Sequence, residues 1–233
     1  MRPESPEAGK RDPRHAVLAA GLRELALTAD DPLGTRLLAF ADLLTKWNHI
    51  YNLSAVRDPM QIVRLHLLDC LAALPAVDRH LQGRPAQVLD VGSGGGLPGV
   101  VWAIMRPLWI VRCVDSVAKK ISFVRQAGSE LGLGNLQADQ ARVERLPQRS
   151  HDLVVSRAFA SLRDFTRLTR AQLAPHGCWV ALKGKVPGDE IGELDSTIDV
   201  FHVEPLQVPG LTAERCLVWM RPVGSARSSG PSA

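Results

Sequence analysis

The first stretch with a chemical signature is VLDVGSGGGLPGV, Val88 to Val100, which joins an apolar run to five glycines. Glycine adopts positive φ without strain and lets a ligand come close to the backbone. An apolar run followed by such a loop and a proline predicts a β-strand, a tight turn and the start of a helix. We therefore expect the backbone at Gly92, Gly94 and Gly96 to hold a cofactor.

Two aspartates near this loop narrow the choice of cofactor. Asp90 precedes the first glycine by two residues, where its charge would oppose the pyrophosphate of a dinucleotide. It suits a cofactor with a cationic end, such as S-adenosylmethionine, although a helix cap is its alternative role. Asp115 ends the next predicted strand, where a carboxylate can accept both ribose hydroxyls of either cofactor class. The G-x-G-x-x-G pattern of Gly94, Gly96 and Gly99 is a weak signal by itself.

The elements that must position these residues alternate from residue 86 onward between short β-rich runs and helical stretches, which indicates a parallel sheet covered by helices. Seven strands are predicted, at residues 86–91, 109–115, 135–139, 152–157, 178–184, 199–208 and 215–222. Helices are predicted at about residues 98–105, 117–131, 161–174 and 188–196. Only PGLTAE separates the last two strands, so they should pair antiparallel as a hairpin.

Before residue 86 the pattern is helical. Apolar residues at helical spacing fill HAVLAAGLREL, PLGTRLLAFADLLTKWNHI and DPMQIVRLHLLDCLAAL, and Asp58 with Pro59 forms a typical helix start. The sequence therefore predicts a helical N-terminal cap over residues 15–75 and a cofactor-binding, Rossmann-like domain over residues 76–223. The polar ends, residues 1–14 and 224–233, are expected to be disordered tails.

Composition limits the cellular setting. No apolar run approaches the roughly 20 residues that cross a bilayer, and the polar N-terminus lacks a signal-peptide core. A cytoplasmic protein without a membrane partner is therefore expected. The four cysteines occur singly, which predicts buried, reduced thiols and no zinc site. The net charge of +4 and the pI near 9.1 are compatible with a polyanionic partner but do not require one.

Several motifs follow one another in the chain: WNHIYNLSAVRDP, RLHLLDCL, VLDVGSGGGLPGV, SRAFASL, ALKG and ERCLVWM. Together with the second-strand acid and the terminal hairpin, they resemble the class I S-adenosylmethionine-dependent methyltransferases. More narrowly, they resemble the bacterial 16S ribosomal RNA guanine-N7 methyltransferases of the RsmG or GidB family. The resemblance runs from about Leu37 to Met220. It departs from the family at Ser93 and Gly95, where threonine and proline are common.

This resemblance implies both a fold and an activity. The fold would be α/β, with a Rossmann-like, mostly parallel seven-stranded sheet whose last strand is antiparallel, and with a helical N-terminal extension. The activity would transfer the methyl group of S-adenosylmethionine to N7 of guanosine 527 in the 530 loop of 16S rRNA. The partner would be the 16S rRNA or the 30S subunit, and the protein would act as a monomer without a metal.

The resemblance also assigns cofactor contacts to matching positions. Leu97 would give an apolar contact beside the loop, Asp115 would hold the ribose, and Val143 with Glu144 would contact adenine. Simple core packing is the alternative role of Val143. The full expected cofactor site comprises Asp90, Gly92, Gly94, Gly96, Leu97, Asp115, Val143, Glu144 and Arg157.

SRAF, which contains Arg157, stands at the carboxyl end of the fourth predicted strand, where this class of enzyme meets its substrate. It stands in place of the N-P-P-Y/F-type tetrapeptide of enzymes that methylate exocyclic amines, which must lose a proton. Guanine N7 has an exposed lone pair and no proton to lose, so positioning should dominate. No residue is assigned as a general base, and Arg157 is the candidate for holding a phosphate or guanine O6.

Three further basic residues, Arg142, Lys183 and Arg215, lie near predicted strand ends in matching motifs. Their expected role is contact with RNA phosphates, and ordinary solvated surface charge is the alternative. His66 and Asp69 lie three residues apart on one helix face, without a third residue at metal-ligand spacing. We expect them to form a hydrogen-bonded pair that supports the cofactor pocket.

Two other functions compete with rRNA methylation: methylation of a small molecule or protein, and regulation by a non-catalytic protein that binds S-adenosylmethionine or a nucleotide. The RNA hypothesis predicts that Arg142, Arg157, Lys183 and Arg215 converge around the mouth of the glycine-loop pocket. Basic residues scattered over the surface would weaken that hypothesis. A small-molecule enzyme should have a closed, apolar pocket instead.

Overall fold

The computed structural model describes residues 12–28 and 30–225. Its centre is a seven-stranded sheet with the order β3-β2-β1-β4-β5-β7-β6. The strands are β1 Gln87–Val91, β2 Ile110–Asp115, β3 Leu136–Gln140, β4 His151–Ser156, β5 Leu173–Lys183, β6 Ile198–Pro205 and β7 Cys216–Pro222. The strand order reverses beside β1, so the loops after β1 and β4 diverge at the carboxyl edge of the sheet, which is where open α/β sheets bind ligands.

The parallel part of the sheet is covered on both faces. The helices of this region are α4 Gly99–Met105, α5 Ala118–Glu130, α6 Leu162–Thr169 and the short α7 Gly188–Gly192. On one face Trp102 of α4 and Phe123 of α5 belong to the larger apolar core. On the other face Phe165 of α6 packs in a second core with Leu89 and Trp179. Strands enclosed on both faces explain the continuous apolar runs of the sequence.

The terminal hairpin has the predicted antiparallel pairing. β7 lies between β5 and β6 and is antiparallel to both, as the short connection requires. β5 begins at Leu173, five residues before the predicted strand start, and the predicted helix over 161–174 is correspondingly shorter. A register shift occurs between His151 and Leu153 in the β4–β5 pairing. A Cβ at Gly177 would lie 2.6 Å from the His151 carbonyl oxygen, so glycine is required where the irregular strand passes its neighbour.

The N-terminal cap consists of α1 Pro13–Glu24 and α2 Asp31–Tyr51, together with α3, which spans Pro59–Leu81. Asp58 caps α3 as expected, since its side chain accepts a hydrogen bond from the Gln61 N–H. A π-helical turn, Val63–Leu67, interrupts α3. The helix continues past the boundary expected at residues 75 and 76, with only a turn at Ala73. Pro75 therefore falls near the start of the last helical segment, where its missing N–H does no harm.

The cap and the sheet share one apolar core. Residues of α2 and α3 such as Phe40 and Leu71 are fully buried in the same cluster as Trp102. The indole Nε1 of Trp102 donates to the carbonyl oxygen of Cys70 at 2.9 Å.

α3, at 23 residues, is long and apolar enough to cross a bilayer, which corrects the expectation that no stretch approaches this length. Because 67% of its most apolar window is buried inside the protein, core packing accounts for this composition.

Most residues of the two expected tails lie outside the described part of the chain. α1 already begins at Pro13 and contains Arg14, with Asp12 as its N-cap, so the expected first tail extends two residues too far. The side chain of Asp12 accepts from the Arg14 backbone N–H at 2.9 Å, which explains the early start. All four cysteines are buried and free, in agreement with the prediction of reduced thiols.

Candidate functional site

The glycine loop folds back over the end of β2. Gly92 and Ser93 donate their backbone N–H groups to the Val114 carbonyl oxygen at 2.8 and 3.1 Å. Gly92, Gly94 and Gly96 have φ of +67°, +57° and +77°, the left-handed region that favours glycine. The predicted strand–turn–helix arrangement is therefore present, with the turn at the carboxyl edge of the sheet.

The glycines of this loop differ in how much free space surrounds them. A Cβ built on Gly92 has no heavy atom within 4 Å, and one on Gly94 only reaches the Gly92 carbonyl oxygen at 4.0 Å. A Cβ on Gly96 would meet Val100 Cγ2 at 2.4 Å, and one on Gly99 would meet Cys113 Sγ at 2.4 Å. The second pair of glycines is required for packing, whereas the first pair leaves open backbone that a cofactor can approach.

Asp90 lies under the loop with none of its surface exposed. Its Oδ2 accepts the Gly99 N–H at 2.8 Å, so the residue caps α4, which is the alternative role considered for it. Its Oδ1 is buried without a hydrogen-bond partner among the described residues. Burial raises the pKa of this carboxyl group to about 7. A direct cofactor contact by Asp90 stays a prediction.

Asp115 ties the glycine loop to the start of α5. Its Oδ2 accepts from the Gly94 N–H at 3.0 Å, and its Oδ1 accepts from the Val117 N–H at 2.9 Å. Lys120 Nζ lies 3.6 Å from Oδ2. Each carboxylate oxygen can accept a second hydrogen bond, so the geometry is compatible with the predicted ribose contact while already serving the loop.

The other predicted cofactor residues differ in exposure. Leu97 is 6% exposed and belongs to the larger core, and Val143 is 5% exposed and packs with Val91 and Val114 in the second core. Core packing is therefore a role that both residues have. Glu144 is exposed in a 3₁₀ turn that follows β3. This turn lies at the carboxyl edge, as an adenine contact would require.

Two of the predicted basic residues meet on one carboxylate. Arg215 Nε donates to Asp69 Oδ1 at 2.7 Å, and Arg157 Nη1 lies 3.3 Å from Asp69 Oδ2. Arg157 follows β4 and Arg215 precedes β7, so both reach the carboxyl edge from sheet elements, and Asp69 reaches it from α3. The sequence pattern predicted that each arginine lies near a strand end and that Asp69 lies on a helix face. It did not indicate that both arginines contact Asp69.

His66 and Asp69 do not form the expected hydrogen-bonded pair. His66 Nε2 lies 2.6 Å from Ser54 Oγ, and Nδ1 lies 3.0 Å from the Leu65 carbonyl oxygen. Asp69 has two arginine partners, which bind a carboxylate more strongly than a neutral imidazole does. Burial, with the nearby Arg157 cation, lowers the pKa of His66 to about 4, so the ring is neutral near pH 7. Ser54, in the YNLSAVRD stretch, was not predicted as its partner.

Lys183 has an intramolecular partner. Its Nζ lies 2.9 and 2.8 Å from the two carboxylate oxygens of Glu190, and Glu190 Oε2 also accepts the Leu162 N–H at 2.9 Å. The carboxylate of Glu190 on α7 thereby links β5 and α6. Its predicted contact with RNA would have to compete with this ion pair.

The basic residues show partial convergence. Ser156 pairs with Ala181 and Lys183 pairs with Cys216, so Arg157, Lys183 and Arg215 occupy neighbouring strand ends. Arg142 is exposed beyond β3, three strand positions from β4, or about 14 Å at the usual strand spacing. Over residues 12–28 and 30–225, no group of three His, Cys, Asp or Glu side chains is placed to hold a metal ion.

Comparison with known sequences identifies a family. Residues 34–218 match the family model described as rRNA small subunit methyltransferase G. The chain is 51% identical to the ribosomal RNA small subunit methyltransferase G of Leptothrix cholodnii, over 93% of this chain and 99% of that protein. It is 54% identical to the protein of the same name from Acidovorax sp. strain JS42, over 89% of this chain and 95% of that protein.

Solved structures resemble the chain at lower identity. One is the 1,6-didemethyltoxoflavin-N1-methyltransferase of Burkholderia thailandensis, solved with bound 1,6-didemethyltoxoflavin and S-adenosylhomocysteine. Its TM-score is 0.55 at 16% identity, and the match covers 84% of this chain and 92% of that chain. Another is a SAM-dependent methyltransferase from Aquifex aeolicus, with a TM-score of 0.52, 18% identity and coverage of 68% and 92%. These likenesses show the fold alone, and they confirm the predicted class I methyltransferase fold.

Proposed function

The chain belongs to the rRNA small subunit methyltransferase G family, and from this premise we propose that it methylates N7 of one guanosine in 16S rRNA. The proposed target is guanosine 527 of the 530 loop, and the methyl donor is S-adenosylmethionine. The observation that carries the proposal is the family match over residues 34–218 combined with the arginine pair, Arg157 and Arg215, at the carboxyl edge. The proposal includes a cytoplasmic location, because the substrate is ribosomal. It also includes a monomeric enzyme.

The residues around the glycine loop fit S-adenosylmethionine. Open backbone at Gly92 and Gly94 gives the cofactor an approach, and Asp115 retains acceptor capacity for a ribose. The negative charge that Asp90 acquires above its raised pKa would favour the cationic end of this cofactor over a pyrophosphate. When bound, S-adenosylmethionine supplies a methyl group on a sulfonium, which N7 can accept with its lone pair.

The side chains near Arg157 support a reaction governed by alignment. Transfer to N7 moves the positive charge from sulfur to the guanine ring and releases no proton, so a general base is unnecessary. The imidazole of His66 lies beside Arg157 and shares a hydrogen bond with the Ser54 hydroxyl group. It is neutral near pH 7 because its pKa is lowered. We infer that Arg157 and Arg215 orient the RNA through phosphate or guanine O6 contacts.

The competing functions make different use of this edge. A small-molecule enzyme should enclose its substrate, yet Arg157 and Arg215 remain 22% and 28% exposed as side chains. A regulator that only senses the cofactor has no need for two arginines that are bridged by one carboxylate beside the site. The arrangement therefore favours a polyanionic substrate, and RNA fits it best.

The decisive experiment incubates the protein with labelled S-adenosylmethionine and 30S subunits from a strain that lacks the gene. Naked 16S rRNA from the same strain forms a second arm, and 30S subunits from the parent strain serve as a control that is already methylated. The label should enter one guanosine of the 530 loop, mapped by fragment analysis and identified as N7-methylguanosine by mass spectrometry. Label in protein alone, in a small molecule, or at a ring position other than N7 would contradict the proposal.

A further inference from the structure

Asp69 joins two arginines that are far apart in the chain. It lies 88 residues from Arg157 and 146 residues from Arg215, and each of its oxygens faces a different guanidinium. The carboxylate side chain is 8% exposed, whereas both arginine side chains keep exposed surface. Resting on the proposed function, we propose that Asp69 is a positioning residue that holds Arg157 and Arg215 as one preformed fork for the RNA substrate.

Electrostatics gives Asp69 a specific task. Two guanidinium cations that approach the same point repel each other, and the repulsion is stronger near a partly buried site than in water. One carboxylate between them offsets this repulsion with two attractive contacts and leaves a net charge of +1. The fork therefore stays attractive to a phosphate while its two halves are held together.

The hydrogen-bond geometry leaves capacity for a ligand. A guanidinium has five N–H donors. Arg215 directs Nε to Asp69 and Nη1 to the Glu214 carbonyl oxygen at 2.8 Å, and Arg157 directs Nη1 to Asp69. The remaining donors and the exposed parts of the two side chains are available to phosphate oxygens or to guanine O6.

The helix segment that carries Asp69 is packed into the core of the protein. Its neighbour Cys70 accepts the Trp102 indole N–H through its carbonyl oxygen, and the surrounding segment of α3 is buried. Asp69 thus transmits the position of the cap helix to residues that follow β4 and precede β7. Because a site held by a packed helix is more precise than one held by loops alone, we expect alignment of the substrate to depend on this carboxylate.

The test compares Asp69→Asn with Asp78→Asn under the 30S methylation assay. Asp78 lies on the same helix and pairs with Arg106 Nε at 2.8 Å, so it controls for loss of an ion pair on α3. Asp69→Asn should lower kcat at least tenfold, while the KM for 30S subunits changes less than threefold. Its affinity for 16S rRNA at low salt should be equal or higher, because the mouth gains positive charge. Asp78→Asn should leave kcat within twofold of the parent protein.

A merely structural role would act differently, because misfolding lowers the active fraction and the RNA-binding fraction together. Thermal melting and RNA binding are therefore measured on the same samples. Arg215→Lys forms a second test that leaves Asp69 in place, since lysine keeps the charge but not the fork geometry. It should also reduce kcat at least tenfold with little change in RNA affinity.

A double substitution tests whether Asp69 acts through its partner. If it does, Asp69→Asn should cost much less in an Arg215→Ala background than in the parent protein. Unchanged kcat in Asp69→Asn, or a loss confined to RNA affinity, would overturn the positioning role. The parent protein serves as the reference: if it methylates no rRNA, the proposed function fails, whereas a loss seen only in the variants concerns Asp69.

Discussion

At the scale of single residues, Asp90 accepts a backbone hydrogen bond in a fully buried position, where ionisation of its carboxyl group is unfavourable. Its Oδ2 accepts the first N–H of α4, which favours the ionised form, but full burial opposes ionisation more strongly. The balance raises its pKa to about 7 from the ordinary value of 3.8. The residue therefore changes charge close to physiological pH, directly beneath the loop that we assign to the cofactor.

This raised pKa predicts a pH-dependent stability for the cofactor-free protein. Between pH 4 and 7 the folded protein binds the Asp90 proton more tightly than the unfolded chain does, so the contribution of Asp90 to stability falls as pH rises. Asp90→Asn removes this dependence, and its amide oxygen can still accept the Gly99 N–H. The free energy of unfolding of the variant, relative to the parent protein, should increase from pH 5 to 7 by at most about 1.4 kcal/mol per pH unit.

Urea unfolding at pH 5, 6, 7 and 8 measures this difference. Asp189→Asn is the matched control, because Asp189 is an exposed carboxyl group on α7. A difference between Asp90→Asn and the parent protein that stays constant across the series, or that shrinks as pH rises, would contradict the assignment.

At the scale of elements, the sequence predicts those strands, turns and helices whose formation depends on residues close together in the chain. The strand, glycine turn and helix around Gly92 follow from an apolar run and local turn chemistry, and the short link before β7 determines its antiparallel direction. Contacts between distant segments are different. The Asp69–Arg215 pair depends on how the cap packs on the sheet. The Ser54–His66 pair lies within the cap and depends on how the link between α2 and α3 folds back on α3. The continuation of α3 past Pro75 was missed for a related reason, since burial in the shared core supports a helix that local signals would end.

The glycine loop allows a prediction that separates packing from ligand binding. Gly96→Ala combines a left-handed φ with a Cβ 2.4 Å from Val100 Cγ2, so backbone strain and overpacking should together reduce stability by about 2–4 kcal/mol. Gly92→Ala has comparable strain but open space around the Cβ, so its loss should be only about 1–2 kcal/mol. The Cβ of the second variant would nevertheless occupy the proposed cofactor approach and reduce S-adenosylmethionine affinity more than tenfold.

Chemical denaturation and calorimetric titration of both variants provide the two readouts. The expected pattern is a larger loss of stability for Gly96→Ala and a specific loss of affinity for a well-folded Gly92→Ala. Full cofactor affinity in Gly92→Ala would show that the cofactor does not lie against this backbone.

At the scale of the whole molecule, the sheet gives the protein two chemically different edges. The carboxyl edge carries the glycine loop, Asp115 and the Asp69–arginine fork, and the cap helix α3 reaches this edge from the shared core. The amino edge contains the first residues of β1, β2 and β4, with a polar cavity of about 370 Å³ lined by Arg112 and Arg149. A net charge of +4 does not say which edge meets RNA, so the direction of the parallel strands must supply that information.

This polarity predicts different salt dependences for two exposed arginines that lie seven residues apart. Arg142 follows β3 at the carboxyl edge, and Arg149 precedes β4 at the amino edge. If the RNA covers the carboxyl edge as far as β3, Arg142→Ala should lose one phosphate contact and lower the slope of log affinity against log salt concentration by about 1. Arg149→Ala should leave the slope unchanged, although both variants lose the same charge. Filter binding of 16S rRNA between 50 and 200 mM salt measures both slopes. Equal changes in the two variants would mean that net charge, and not the polarity of the sheet, governs RNA binding.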